Sequence, residues 1–282
     1  MKCKDLKDKD KPRLLELYTA VQSEGSRQGY PTIVTRTSGC THRCYFGEGG
    51  WCDSWYTSIH PEKAKYSFNE VAKMYDEHPY IKEMMLTGGS PTMHSDLVNE
   101  FTKFAHERGI FITIETEGSH FLETEYPINL LSISPKFENS VPVVGAKTPQ
   151  GKIVDEKMVK QHNKFRLHID NIADSIIYHS DFHLKPVIDK DLEVMPEVEK
   201  FIEDLAKNLF EKEYRTNAWV KVFESTDQIV EYLREKTWLM PAGDDRESLF
   251  ESYGPVMNLA RDKGYKFTGR AHIMAFGTER CV

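Results

Sequence analysis

Thr32-Ile33-Val34-Thr35-Arg36-Thr37 runs directly into Ser38-Gly39-Cys40-Thr41-His42-Arg43-Cys44, joining a β-branched run to a cysteine-bearing loop. Pro31 and Gly39 bound the run, which predicts a strand. Downstream, the same grammar repeats. Ser67-Phe68-Asn69-Glu70 has the Ser-x-x-Glu form of a capping box and opens a helix to about His78, with Pro79 beyond its end. Glu83-Met84-Met85-Leu86-Thr87 predicts a strand entering Gly88-Gly89-Ser90-Pro91. Leu97, Val98, Phe101, Phe104 and Ala105 fall at helical spacing, with Gly109 as the stop. Residues 110–115 and 130–134 predict two further strands. Strands alternating with helices imply an α/β fold with a parallel sheet built from βαβ units. Such sheets carry their chemistry at the C-terminal strand ends. Arg36, Thr87-Gly88-Gly89, Glu115 and Ser134-Pro135-Lys136 all fall there.

The second half is less regular. Residues 137–180 predict a loop and one or two polar helices, and Phe182 to Ile188 a strand. Val198, Phe201, Ile202, Leu205, Leu209 and Phe210 mark an amphipathic helix with Pro196 at its start. Trp238-Leu239-Met240 reads as a strand end before Pro241, and residues 245–263 as a helix broken at Gly254-Pro255. Arg270 to Phe276 reads as a last strand. No repeat or linker divides residues 1–282, so one elaborated domain is expected.

Composition narrows the function. The 282 residues are 39% hydrophobic and 11% aromatic, which excludes disorder. A net charge of −7 is the wrong sign for a surface that grips nucleic acid directly. No run approaches the ~20 apolar residues of a membrane helix. The charged start, Met1 to Lys11, has no apolar stretch behind it, so a cytoplasmic, reducing location is expected. An odd count of five cysteines argues against a disulfide framework there.

Cys40, Cys44 and Cys52 crowd into one loop. Three thiolates can hold three irons of a 4Fe–4S cluster, leaving the fourth iron to a small ligand. A structural zinc site would need His42 or Cys3 as a fourth ligand. Three buried cysteines without metal are the third reading. Spacing leaves all three open.

The order of motifs resembles the radical S-adenosylmethionine (SAM) superfamily, with its three-cysteine loop after the first strand and Gly-Gly after the second. Within it, Val21-Gln22-Ser23-Glu24-Gly25, Pro31-Thr32, Arg36 to Cys40 and Trp51-Cys52-Asp53-Ser54 closely resemble the 7-carboxy-7-deazaguanine synthase family. Thr87 to Pro91, Glu115 to Ser119, Ser132 to Lys136, Trp238 to Pro241 and Arg270-Ala271-His272 fit it in order. The resemblance implies a partial, modified (β/α)-barrel with Cys40, Cys44 and Cys52 as ligands of a 4Fe–4S cluster. It implies SAM held by Trp51, Asp53, Gly89, Ser134, Pro135, Lys136 and Met240. It implies 6-carboxy-5,6,7,8-tetrahydropterin as substrate, met by Val21, Gln22, Ser23, Arg36, Thr87, Glu115, His272 and the Val282 carboxylate. Ser54 would bind Mg²⁺, with water and substrate oxygens completing the shell. A 5′-deoxyadenosyl radical would abstract hydrogen from the carboxylate-bearing carbon, and the ring would contract to 7-carboxy-7-deazaguanine with loss of ammonia. An external electron donor such as a flavodoxin and a homodimer are further expectations. The alternatives are a radical enzyme with another substrate, such as a glycyl-radical activase, and a zinc-stabilised binding protein.

Three departures stand out. Seven residues, Tyr45 to Trp51, separate Cys44 from Cys52, where two are usual. Ser90 replaces the glutamate of a Gly-Gly-Glu-Pro motif. The stretch 137–235 is largely unmatched and reads as an elaboration.

Overall fold

The computed structural model describes residues 9–212 and 223–282. Its strands are β1 (Glu16–Val21), β2 (Pro31–Thr37), β3 (Glu83–Gly88), β4 (Phe111–Thr116), β5 (Leu130–Ile133), β6 (Phe182–Leu184), β7 (Val187–Ile188), β8 (Trp238–Pro241) and β9 (Lys266–Phe267). Its helices are α1 (Trp55–Ser58), α2 (Phe68–Glu77), α3 (Ser95–Arg108), α4 (Glu156–Phe165), α5 (Ile169–Tyr178), α6 (Met195–Glu211), α7 (Thr226–Glu235), α8 (Arg246–Lys263) and α9 (Ala271–Phe276). Strands β1 to β6 form one sheet in chain order, and β7-β8-β9 form a second. All pairings from β2 to β6 are parallel, as the alternation predicts.

Local chemistry explains most boundaries. The Ser67 amide donates to the Glu70 carboxylate at 2.7 Å, closing the expected box at the start of α2. Gly109 ends α3 at φ 62°, a left-handed conformation suited to glycine. Ile33, Leu86, Ile114 and Ile133 are fully buried, as strands covered on both faces must be. Phe101 of α3 and Phe201 and Leu205 of α6 pack in the same core.

Four elements differ from expectation. Residues 16–21, not assigned beforehand, form β1, antiparallel to β2, with Glu16 opposite Arg36. The expected strand 182–188 is broken between β6 and β7, where Pro186 has no N–H for a continuous ladder. Leu184 donates to Lys236 O at 2.9 Å and Lys185 to Ile133 O at 2.7 Å, so this segment carries the sheet round a corner from β5 toward β8. Helix α8 runs through Pro255 without the expected break, with Leu249, Val256 and Ala260 buried on either side. Residues 271–276 form helix α9, not a strand. A short apolar run has no decisive period, and here β9 already occupies the sheet edge. Among the described residues, no helix is long and apolar enough to cross a membrane.

Candidate active site

The C-terminal ends of the parallel strands meet as one surface. After β2, the cysteine loop folds back over the end of β3. Gly39 donates to Thr57 O at 2.7 Å, and Ser90 donates to Gly39 O at 2.8 Å. The paired glycines serve this contact. A Cβ on Gly89 would fall 2.1 Å from Gly39 O, and one on Gly88 2.4 Å from Thr37 O. The resemblance places Gly89 at SAM; the fold gives both glycines the further task of admitting the cysteine loop.

Cys44 is buried, and Cys40 and Cys52 are half-buried. Burial pushes Cys44 up to about 11 and Cys52 up to about 12. Burial, with the Glu117 carboxylate nearby, holds Cys40 well above the ordinary thiol range. Lys136 and Arg43 pull Cys44 the other way. Each thiol feels another's charge. Yet among the described residues no three His, Cys, Asp or Glu side chains converge on a single ion. Three thiols within electrostatic reach of one another are a donor set that a 4Fe–4S cluster can use. Cys3 lies outside the described residues.

Beneath the loop, Ser90 Oγ donates to Glu117 Oε1 at 2.6 Å. Burial alone would raise the Glu117 carboxyl, but His120, His42 and Ser90 hold it at about 2. Burial pushes His42 down to about 4 against the pull of Glu117. The position that lost its acidic side chain thus touches a carboxylate supplied by β4's end. Lys136 Nζ curls onto Ser134, donating to its O at 2.6 Å and Oγ at 2.7 Å. Met240 packs with Val187, Ala242 and Phe46, the last from the lengthened cysteine loop. Trp51 is turned toward Val154 and Met158.

Facing this half is a set of paired charges. Arg36 Nε donates to Glu16 Oε2 at 2.6 Å, and Nη1 to Ser54 Oγ at 2.8 Å. Arg280 donates to the other Glu16 oxygen at 2.6 Å and lies 3.5 Å over the Tyr56 ring, which ties the 280–282 end to β1. Lys185, 1% exposed, bridges Glu24 at 2.6 Å and Glu115 at 2.8 Å. Burial would raise the Glu24 carboxyl, yet Lys185 and Arg270 hold it at about 2. Arg270 also pairs with Asp53. His272 Nδ1 lies 2.6 Å from Ser23 Oγ. Neither Glu24 nor Lys185 was singled out in the sequence. Glu24 lay inside a quoted motif, but no local pattern marks Lys185.

Several expected residues also make contacts within the fold. Gln22 spends its side chain on Glu83 at 2.9 Å and its backbone groups on Gly29 and Tyr30. It builds the hairpin that presents Val21, which is 58% exposed, and Ser23. Asp53, whose backbone is expected beside SAM, turns its side chain to Arg270. Thr87 is buried opposite Arg36 in the β2–β3 register. An open cavity of about 500 Å³ lined by Phe46, Glu48, Asn139, Asp189, Lys190 and Glu251 shares no residue with the expected SAM or pterin sites. Its acidic wall does not suit the carboxylate of the pterin.

A parallel sheet whose first crossover strand ends in a three-thiol loop, seated on paired glycines, defines a radical SAM enzyme, and residues 34–139 match the family model of the Radical SAM superfamily. The chain is 30% identical over 258 residues to the 7-carboxy-7-deazaguanine synthase of Halobacterium salinarum, spanning 92% of this chain and 88% of that one. It belongs to the 7-carboxy-7-deazaguanine synthase family. The synthase of Rhodopirellula baltica is 26% identical over 265 residues, spanning 94% and 86% of the two chains. The crystal structure of QueE from Escherichia coli matches the fold with a TM-score of 0.51 at 16% identity, covering 95% of this chain and 99% of that one.

Proposed function

We propose that this enzyme converts 6-carboxy-5,6,7,8-tetrahydropterin to 7-carboxy-7-deazaguanine and ammonia, acting as a carbon–nitrogen lyase in 7-deazapurine synthesis. The observation that carries this reading is the shared strand-end surface, with the three-thiol loop on one side and Arg36, Glu115, Lys185, Arg270 and His272 on the other. Cys40, Cys44 and Cys52 hold the 4Fe–4S cluster. When bound, the cluster and SAM supply one-electron chemistry that protein side chains lack. Lys136, fixed on Ser134 and close enough to Cys44 to oppose the rise that burial gives its thiol, offers its ammonium to the SAM carboxylate. Gly89, Pro135 and Met240 shape that pocket. Arg36 exchanges the Ser54 hydroxyl for the substrate carboxylate, with Glu16 fixing it from behind. Glu115, paired with Lys185, accepts ring N–H groups. Ser23, Thr87 and His272 complete the pterin contacts. A flavodoxin-type protein delivers the electron.

Mg²⁺ would reach the Ser54 hydroxyl only once Arg36 has turned from it to the substrate. The Ser54 hydroxyl is engaged by a cationic guanidinium, and Asp53 beside it is paired with Arg270. No step is routed through that ion. The deciding experiment is anaerobic reconstitution, with SAM, reductant and the pterin added with or without Mg²⁺, and mass spectrometry of the products. 7-Carboxy-7-deazaguanine is expected. Formation of 5′-deoxyadenosine with the pterin intact would refute the substrate assignment.

A further inference from the structure

The two departures at the cysteine loop and in the 137–235 stretch meet in space. Arg43, adjacent to Cys44, donates its backbone N–H to His162 Nδ1 at 3.1 Å. That nitrogen accepts, so the proton of the neutral ring sits on Nε2, which lies 3.2 Å from Ser140 Oγ. Ser140 Oγ in turn donates to Phe137 O at 2.6 Å. Phe137 directly follows Ser134-Pro135-Lys136. His162 itself is fully buried on α4. The same helix and the segment leading into it grip the far side of the loop: Trp51, next to Cys52, packs on Met158 of the helix and on Val154 before it, and donates to Lys147 O at 3.0 Å. Tyr45, next to Cys44 on its other side, donates to Ser140 O at 2.9 Å.

We propose that His162 is a positioning residue for the cofactor pair, fixing the cysteine loop relative to the Ser134–Lys136 turn through Arg43 on one side and Ser140 on the other. Helix α4 is the partner that a lengthened Cys44–Cys52 segment requires. This rests on the reading of the three cysteines as cluster ligands and the turn as part of the SAM pocket. All donors run one way along the chain of hydrogen bonds, so removing its centre strands the Arg43 N–H at one end and leaves the Ser140 hydroxyl, still donating to Phe137 O, without its own donor at the other. The loop and the turn are then free to shift relative to each other.

The test uses the full chain, reconstituted anaerobically, as native protein and as His162→Leu, His162→Gln and Ser140→Ala. Readouts are iron and sulfide per chain, the electron paramagnetic resonance spectrum of the reduced cluster with and without SAM, and SAM affinity by equilibrium dialysis. His162→Leu is expected to alter the cluster spectrum and weaken SAM binding by roughly tenfold, the scale of one stranded buried hydrogen-bonding group. Gln, which can both accept and donate, restores most of each. Ser140→Ala is expected to leave the cluster spectrum native while weakening SAM binding. A role in stability alone would lower the unfolding midpoint and move neither spectrum nor affinity. That outcome, in a folded and loaded His162→Leu, overturns the proposal. If His162→Leu does not fold, native SAM affinity in Ser140→Ala overturns it. A native chain that takes up no 4Fe–4S cluster refutes the cysteine reading and the proposal with it.

Discussion

Single charged residues on this surface have little freedom, because each is already committed to a partner. Lys185 is the centre of the pterin-side set, with two carboxylates on one buried ammonium. Lys185→Met leaves Glu24 and Glu115 without that cation, and breaking such a buried pair costs about 3–5 kcal/mol. Denaturant titration of the variant should show the loss; an unchanged midpoint contradicts it. Arg36→Ala is a milder lesion. Glu16 keeps Arg280 as a partner at 2.6 Å, so the fold and the cluster persist. The pterin KM should rise by about tenfold or more, the worth of one charge-assisted contact. Steady-state kinetics alongside iron content separate that result from general damage.

Elements matter here through what their ends allow. The end of β3 and the cysteine loop touch backbone to backbone, so Gly89→Ala has nowhere to place its methyl group except against Gly39 O, 2.1 Å away. Backbone on both sides cannot yield as a flexible side chain would. A loss of at least about 2 kcal/mol is expected from this overpacking, together with lower iron content after reconstitution. A Gly89→Ala protein with native stability and native iron would refute the packing role. The break at Lys185-Pro186 works in a similar way. By ending one ladder and starting another, it places Lys185 where the sheet turns the corner, facing inward between Glu24 and Glu115.

Across the whole molecule, closure comes from the two ends of the chain. The Gly25 amide donates to Thr268 Oγ1 at 2.6 Å, Ala271 donates to Ser23 O at 3.2 Å, and Arg280 reaches Glu16. The buried titrating groups give this assembly a pH signature. Burial pushes His42 and His179 to about 4, and His162 and His183 to about 3, from an ordinary 6.5. The unfolded chain therefore binds protons below pH 6.5 that the folded rings refuse, and stability falls as pH drops from 6.5. Glu24 and Glu117, held at about 2 against an ordinary 4.5, add stability above pH 4.5 that is lost between 4.5 and 2. Denaturant midpoints at pH 7.5, 5.5 and 4 should decline in that order. A flat profile from 7.5 to 5.5 would show that the rings are not neutral and buried.

Short-range chemistry in the sequence by itself determined the parallel α/β order, the capped helices α2 and α3, the three-thiol loop and the strand ends that bear the site. These follow from spacing, caps and β-branching over a handful of neighbours, where local sterics and one face of burial decide the outcome. Tertiary structure alone decided which charges pair. Ser23 meets His272 across 249 residues, and Lys185 meets Glu24 across 161 and Glu115 across 70. It also decided that 271–276 winds into a helix and that His162 lies against Arg43. A buried ion or imidazole takes whatever partner chain closure brings within hydrogen-bonding distance, and no run of adjacent residues encodes that partner.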